Sequence, residues 1–210
     1  MNEVIRQAAA MLLSYPDRAY FERLPLVRVA VAETEPGEAR EALTAFCAYA
    51  NGKTDLELGA EYVRTFDLKR RRALHLTYYT DGDTRRRGHA LARIKEIYAA
   101  CGWHLDPGEL PDHLGVVLEF TARGDAAQGL RLLEAFQPGI ELLRAALHDC
   151  GSVYAAVLDA VAATLPPSDE ARREATRMAA AGPPVEDVGL DPYGTGAVPL
   201  GMPVAMGAKR

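Results

Sequence analysis

The side chains best suited to chemistry are gathered in one stretch, residues 66–88, with the sequence FDLKRRRALHLTYYTDGDTRRRG. It holds two arginine clusters, a histidine, two adjacent tyrosines and a DGDT turn, and no other part of the chain has this density. Arginine clusters can contact phosphate, and histidine or tyrosine can transfer protons or bind a ligand. We expect this polar stretch to serve the function directly, or to be placed beside the residues that do.

The histidines and carboxylates form no recognised catalytic or metal-binding pattern. No two of the five histidines have HxH or HxxxH spacing, and HExxH, GxSxG and Walker-type motifs are missing from the sequence. The Glu-x-x-His pairs of di-iron bundles are also missing. The DGDT turn lacks the DxDxDG pattern and the distal glutamate of a calcium loop. We therefore predict no catalytic residue, no metal and no cofactor, and interpret DGDT as a turn followed by a helix cap.

Composition favours a globular chain with an uneven charge. With 210 residues, 49% hydrophobic and 25% charged, the chain fits one domain of ordinary size. The net charge of −5 argues against general nucleic-acid binding, although residues 64–95 are clearly basic. The three cysteines form no CxxC pair, and no stretch reaches the roughly 18 apolar residues that span a bilayer. The expected location is a reducing cytoplasm, without stable membrane insertion.

Hydrophobic periodicity and capping signals predict an all-α, single-domain helical bundle. Thr54 and Glu57 form a capping box, and the helix they start carries Leu58, Tyr62 and Phe66 on one face. The other expected helices cover residues 4–13, 17–21, 26–32, 38–50, 84–101, 111–122, 125–136, 138–165 and 168–181.

Glycine and proline mark the expected breaks in this pattern. Pro25 is expected to interrupt the second helical segment, and the long pattern of residues 138–165 to bend near Gly151. The helical domain is predicted to cover residues 1–181. The tail, residues 182–210, is rich in Gly and Pro and is expected to be disordered when the protein is alone.

Two carboxylates, Asp112 and Glu119, are the clearest candidates for binding a cationic peptide. Asp112 is expected in the first turn of a helix that Pro111 begins, where the macrodipole stabilises its charge. Glu119 follows seven residues later on roughly the same face. A peptide could contact both, with Tyr and Phe side chains holding its apolar part. On spacing alone, a capped helix with two solvated carboxylates is the simpler interpretation.

The order of several motifs resembles a known family. The motifs are EYVRTFDL at residues 61–68, RRRALHLTYYTDGDTRRRG at residues 70–88, ELPDHL at residues 109–114 and LEF at residues 118–120. In this order they resemble the NarJ-type chaperones, also called the delta subunit of respiratory nitrate reductase, within the TorD/DmsD group of redox-enzyme maturation proteins. The similarity covers most of residues 1–180. Ala73 stands where the family more often has serine.

The resemblance implies an all-helical cytoplasmic chaperone that is not an enzyme. Such a chaperone would bind the N-terminal, twin-arginine-like leader peptide of the catalytic molybdenum subunit of nitrate reductase. It would hold that subunit while molybdenum cofactor and iron–sulfur clusters are inserted, before membrane attachment. Proteins of molybdenum cofactor biosynthesis could be further partners. A chaperone for a different molybdoenzyme, such as a sulfoxide or N-oxide reductase, is the alternative interpretation, and an enzyme is the third.

The resemblance also marks individual residues. The peptide-binding pattern falls on Tyr62, Phe66, Leu110, Pro111, Asp112 and His113, and the charge argument adds Glu119. The nitrate-type signature falls on Asp67, His75, Tyr78, Tyr79, Asp83 and Arg85, and their role stays open.

Helix-in-groove recognition gives these residues a physical role. Tyr62 and Phe66 are expected to line an apolar trough, and Asp112 to meet guanidinium groups at its rim together with Glu119. His113 is expected to titrate near neutrality and so to tune affinity with pH. Replacing Asp112 with Ala is expected to weaken leader binding without unfolding the protein. The predicted binding residues therefore flank the polar stretch, while Asp83 is expected to cap the helix that follows it.

Overall fold

The structure of the protein is a computed structural model, and it describes residues 2–82 and 84–182. Over these residues the chain forms eleven α-helices, a π-helical turn at Val63–Asp67 and a 3₁₀ turn at Arg70–Arg72, without a β-strand. The helices are α1 (Asn2–Leu12), α2 (Arg18–Ala32), α3 (Glu38–Asn51), α4 (Asp55–Tyr62), α5 (Leu76–Asp81), α6 (Arg85–Ala100), α7 (Leu114–Arg123), α8 (Ala126–Ala135), α9 (Gln137–Asp149), α10 (Ala155–Ala163) and α11 (Asp169–Ala181). The predicted all-α fold is confirmed. Of the predicted tail, only Gly182 lies within the described residues.

The core lies between helices that are distant in sequence. Helix α1 packs against α7, and α10 packs against both α3 and α9. An aromatic cluster of Phe46, Tyr62, Phe66 and Tyr154 joins these layers, with ring centroids 4.9 to 5.9 Å apart. Burying an aromatic side chain of this kind contributes about 1.5–3 kcal/mol.

The capping box predicted at the start of α4 is confirmed. The Thr54 side chain accepts a hydrogen bond from the backbone N–H of Glu57, and the Glu57 carboxylate accepts one from the N–H of Thr54. These bonds satisfy two N–H groups that a helix start leaves without a partner. They fix where α4 begins, and therefore which of its residues enter the core.

Helix α2 continues through Pro25, so the predicted interruption there is wrong. A proline inside a helix removes one hydrogen bond and costs about 3 kcal/mol. Leu24, Val27 and Val31 are buried on both sides of Pro25. Their packing against the core offsets that cost, and the expected helix over residues 26–32 forms as part of α2.

The long pattern of residues 138–165 is broken rather than bent, because α9 ends at Asp149 and α10 begins at Ala155. Gly151 has a φ of 64°, in the left-handed region that favours glycine. Its N–H donates to the carbonyl of His148, and the N–H of Ser152 donates to the carbonyl of Leu147. This pair of bonds is the Schellman motif, which ends a helix.

The polar stretch contains a short helix, α5, that the periodicity did not predict. The hydroxyl of Tyr79 donates to the carbonyl of Ala73 at 2.9 Å. A Cβ atom at Gly139 would lie 3.1 Å from the Cβ of Tyr79, so α9 approaches this tyrosine closely because residue 139 is glycine. These contacts seat α5 against the bundle. Asp83, predicted to cap α6, lies outside the described residues.

Candidate functional site

The polar stretch is joined to the segment before α7 by an isolated antiparallel bridge between His75 and His113. The backbone hydrogen bonds that flank the pair measure 2.8 and 3.0 Å, the longer one from the N–H of Leu76 to the carbonyl of Asp112. The two imidazole rings meet edge to face with centroids 5.4 Å apart. The bridge therefore brings together two motifs that the sequence separates.

Asp112 is the centre of this junction, with a fully buried side chain. Its Oδ2 accepts hydrogen bonds from the hydroxyl of Thr77 and, at 3.2 Å, from the backbone N–H of Thr77. Its Oδ1 lies 3.3 Å from Nδ1 of His75, and Nη2 of Arg87 lies 3.7 Å from Oδ2. Burial opposes the charged form, but the hydrogen bonds from His75 and Thr77 and the charge of Arg87 hold the pKa of Asp112 below its ordinary value. The carboxylate is thus charged and well satisfied inside the protein.

The predicted position of Asp112 in the first turn of a helix is wrong, and so is the predicted helix start at Pro111. Helix α7 begins at Leu114, and His113 caps it by accepting a hydrogen bond from the N–H of Gly115 at Nδ1, over 3.2 Å. Asp112 has to stay outside the helix because its backbone carbonyl takes part in the bridge. Its side chain therefore lies in the interior and not at the rim of a groove.

His113 does not titrate near neutrality as the sequence suggested. Burial, together with repulsion from His75, lowers the pKa of His113 to about 4, and the attraction of Asp112 opposes this only in part. Because Nδ1 accepts the hydrogen bond from Gly115, the neutral ring carries its proton on Nε2. At physiological pH this histidine is a neutral helix cap.

A groove of about 560 Å³ lies between α1 and α7, and we call it the α1/α7 groove. Its lining includes His113, Met11, Val116, Asp106, Glu109 and Glu119. Asp106 and Glu109 are exposed, whereas Val116 is buried. Two arginines, Arg23 and Arg123, also line the groove, and the three carboxylates outnumber them among the described residues. The groove therefore combines an apolar base with a surplus of acidic groups, an arrangement that suits a ligand with both apolar and cationic groups.

Glu119 has a partner that it can exchange. Its Oε1 is 2.6 Å from Nη1 of Arg123 one turn later, and the side chain of Arg123 is 62% exposed. Surface ion pairs of this kind contribute about 0–1 kcal/mol. A guanidinium group from a ligand could therefore replace Arg123 at little cost.

A family model described as "Nitrate reductase delta subunit" matches residues 33–160, more than half of the 210 residues. The chain belongs to this family.

Three curated relatives are similar over most of this chain. The "Probable nitrate reductase molybdenum cofactor assembly chaperone NarJ" of Bacillus subtilis is 31% identical over 169 residues, covering 79% of this chain and 92% of the relative. The Escherichia coli K12 "Nitrate reductase molybdenum cofactor assembly chaperone NarJ" is 32% identical over 150 residues, covering 70% and 64%. The "Nitrate reductase-like protein NarX" of Mycobacterium tuberculosis H37Rv is 35% identical over 162 residues, covering 77% of this chain. The chain spans only 24% of the length of NarX.

A solved structure supports the fold. The crystal structure of a protein from Archaeoglobus fulgidus, titled as a redox enzyme maturation protein, superimposes with a TM-score of 0.55 at 20% sequence identity. The match covers 85% of this chain and 94% of the other. At this identity the likeness concerns the fold alone, and it agrees with the predicted helical bundle of the delta subunit family.

The residues that the resemblance marked for binding lie in different environments. His113 and Glu119 line the α1/α7 groove, and Leu110 is 39% exposed nearby in sequence. Pro111 is buried beside Asp112, so neither presents its side chain to a ligand at the surface.

Tyr62 and Phe66 belong to the core of this delta subunit family member. They are 8% and 4% exposed, and their rings lie 4.9 Å apart. The hydroxyl of Tyr62 donates to the carbonyl of Leu13 at 3.1 Å, which ties the end of α1 to the aromatic cluster. Both side chains were predicted to line an apolar trough, but in the structure they face the core. Contact between them and a peptide stays a prediction.

The nitrate-type signature residues also lie in different environments. Tyr78 and Tyr79 are buried, and His75 is half-buried in the bridge. Asp67 and Arg85 are exposed. Asp83, the remaining member, lies outside the described residues, and the role of the signature stays open.

Four residues of the site were missed by the sequence reasoning. Thr77 and Arg87 hold Asp112, and both lie within the family motif at residues 70–88, which could have pointed to them. Asp106 and Glu109 line the groove from a loop, where no periodic pattern marks them. Loop residues of this kind are found only when the fold brings them together.

Among residues 2–82 and 84–182, no group of three or more His, Cys, Asp or Glu side chains is placed to hold a metal ion. None of the helices in the same residues is long and apolar enough to cross a bilayer.

Proposed function

We propose that this protein is an assembly chaperone for respiratory nitrate reductase, and that it binds the N-terminal leader of the catalytic molybdenum subunit in the α1/α7 groove. Membership of the delta subunit family supports the first part, as do the names of the Bacillus subtilis and Escherichia coli relatives. The second part rests on one observation, the presence of His113 from the ELPDHL motif in a groove with exposed carboxylates.

The groove suits an amphipathic leader in both chemistry and form. Met11 and Val116 offer apolar contact, and methionine adapts its shape to different partners. Glu109 and Glu119 offer carboxylates to the arginines of a twin-arginine-like peptide, through charge-assisted hydrogen bonds. A helix laid in a groove with acids at its edge is a common form of peptide recognition.

The proposal gives the protein no catalytic role. Its task is to hold the catalytic subunit while the molybdenum cofactor and iron–sulfur clusters are inserted, in the cytoplasm and before membrane attachment. The protein then leaves, and it is not part of the mature enzyme. Proteins that synthesise or deliver the cofactor are expected to join the complex transiently.

Charge reversal in the groove tests the binding site. The probe is a synthetic leader peptide from the catalytic nitrate reductase subunit of the same organism, and its affinity is measured by calorimetry. Glu119→Lys is expected to weaken binding at least about tenfold, because it removes an attraction and adds a repulsion. The matched control is Glu174→Lys on α11, since Glu174 also pairs with an arginine, Arg177, at 2.6 Å.

Two outcomes would count against this assignment. Equal loss of affinity in Glu119→Lys and Glu174→Lys would move the leader away from the groove. Co-purification from native cells identifies the client, and the molybdenum subunit of a sulfoxide or N-oxide reductase in place of the nitrate reductase subunit would change the client but keep the chaperone role.

A further inference from the structure

The described residues of the polar stretch, 66–82 and 84–88, place no side chain in the lining of the α1/α7 groove, yet they enclose the carboxylate that precedes His113. We propose that Thr77 and Arg87 are positioning residues, which hold Asp112 and through it fix His113 at the groove. The proposal gives a role to the most polar part of the chain. The importance of this positioning for binding the catalytic subunit rests on the proposed function.

Thr77, Arg87 and Asp112 all contact one another. The hydroxyl of Thr77 donates to Oδ2 of Asp112 and accepts a hydrogen bond from Nε of Arg87, over 3.2 Å. Nη2 of Arg87 lies 3.7 Å from the same carboxylate oxygen. Each of the three thus contacts both others, so a change in one alters the surroundings of the remaining pair.

These three residues join two helices to the loop that precedes α7. Thr77 belongs to α5 and Arg87 to α6, whereas Asp112 lies in the chain that enters α7. Both Thr77 and Asp112 are fully buried, so water cannot replace either partner without opening the structure. Thr77 and Arg87, which we call the socket, therefore hold Asp112, which follows Thr77 by 35 positions.

His113 is the next residue after Asp112, and its position is narrowly defined. Its Nδ1 caps α7 at the N–H of Gly115, and a Cβ atom at Gly115 would lie only 3.1 Å from that nitrogen. If Asp112 lost its partners, its charge would be buried without compensation and the segment would move toward water. His113 would then leave both the cap and the groove.

Thr77→Val tests the socket because valine has nearly the same shape and lacks the hydroxyl. We expect three changes: faster hydrogen exchange at the amides of residues 112–115, a shifted NMR signal of the His113 ring, and leader affinity reduced about tenfold. Thr77→Ser retains the hydroxyl and is expected to restore all three. A purely structural role would not predict this rescue together with a local change at His113.

Thr164→Val is a matched control, since Thr164 is also buried and also accepts from an arginine Nε, that of Arg6, at 3.2 Å. It is expected to lower stability and leave the His113 signal, exchange at residues 112–115 and affinity unchanged. If Thr77→Val does not fold, Arg87→Lys is used, because lysine keeps the charge and lacks the Nε–H contact to Thr77.

The results separate the two proposals. Unchanged exchange and an unchanged His113 signal in folded Thr77→Val or Arg87→Lys would overturn the socket, as would equal changes in Thr164→Val. If the wild type binds no leader but the exchange and His113 signals still respond to Thr77→Val, the socket stands and the proposed function fails. If the wild type binds the leader, and Thr77→Val lowers only the affinity without changing the exchange or the His113 signal, the socket fails and the proposed function stands.

Discussion

Tyr98 on α6 donates its hydroxyl hydrogen bond to the backbone carbonyl of Pro111 over 2.8 Å. The side chain is buried, and burial raises the pKa of this phenol, so it remains a neutral donor. The bond satisfies a carbonyl in a loop that has no regular secondary structure. It adds a second support, from α6, to the loop that the socket holds at Asp112.

Tyr98→Phe is expected to lower the free energy of unfolding by about 1–2 kcal/mol, since it leaves the carbonyl of Pro111 buried without a partner. Urea denaturation measures the change. Tyr20→Phe is the control, because the buried hydroxyl of Tyr20 has no hydrogen-bond partner among the described residues. Removing that hydroxyl is expected to be neutral or stabilising. A similar loss in both variants would mean that the bond to Pro111 contributes nothing.

Asp112→Ala is expected to destabilise the protein by about 2–4 kcal/mol, because it removes the acceptor of the buried Thr77 hydroxyl and the negative charge beside the partly buried Arg87. This revises the expectation from the sequence that the substitution would spare the fold. Thermal and urea unfolding check the magnitude. Asp106→Ala, at an exposed position in the groove, is the comparison and is expected to change stability by less than about 0.5 kcal/mol. A loss as small for Asp112→Ala as for Asp106→Ala would contradict the buried site.

His113 predicts an acid-sensitive stability. Its pKa is about 4 in the folded protein and about 6.5 when unfolded, so the unfolded chain binds more protons between these values. The stabilisation is complete above pH ~6.5 and is lost as pH falls toward 4, by about 2–3 kcal/mol at pH 4.5. Urea denaturation across this range should show a smaller slope against pH in His113→Gln than in the wild type. Equal slopes in the variant and the wild type would show that His113 has the same pKa in the folded and the unfolded protein.

Asp112 adds a second transition at lower pH. Because its folded pKa is lowered, its stabilisation is present above the unfolded value of about 3.9 and is lost as pH falls through the folded pKa. Asp112→Asn removes this titration and keeps nearly the same shape. The variant is therefore expected to lose less stability than the wild type below pH ~4, measured by the same denaturation series. Parallel curves for the two proteins below that pH would refute the assignment.

Gly129→Ala is expected to cost about 2 kcal/mol or more, because an added Cβ would lie 2.5 Å from the Cα of Thr121 across the contact between α7 and α8. Gly88→Ala on α6 is the control, since a Cβ there meets nothing within 4 Å. Alanine at that helix position is expected to stabilise by about 0.5–1 kcal/mol. Circular dichroism melting of both variants gives the comparison. Opposite signs are expected, and stabilisation by Gly129→Ala would contradict the packing.

The sequence predicts local structure in this protein well, and contacts between distant parts of the chain poorly. The capping box at Thr54 and the spacing of Tyr62 and Phe66 depend on neighbours within a turn or two, so α4 and its buried face could be predicted. Whether that face lines a trough or the core depends on Tyr154, which lies far away in the chain. Periodicity shows that a face is apolar, and only the fold shows what covers it.

The same distinction between local and long-range contacts explains what could be predicted of the site. The ELPDHL motif marked Asp112 as important, but spacing alone suggested an exposed acid in the first turn of a helix. Its burial depends on Thr77, which precedes it by 35 residues, and on the bridge that holds its carbonyl. A long-range pairing of this kind leaves no periodic trace in a single sequence. Glu119 and His113, by contrast, could be placed near one groove because His113 precedes the helix that carries Glu119.

The bridge between His75 and His113 also sets an order for folding during synthesis. It closes a loop that contains all of α5 and α6, at an entropic cost of about 3 kcal/mol. On the ribosome, Thr77 and Arg87 leave the exit tunnel before Asp112, because Asp112 follows them in the chain. The bridge and the contacts of Thr77 and Arg87 with Asp112 can therefore form only after the entrance to α7 leaves the exit tunnel. A chain stalled before that point would be a ready substrate for general chaperones and proteases.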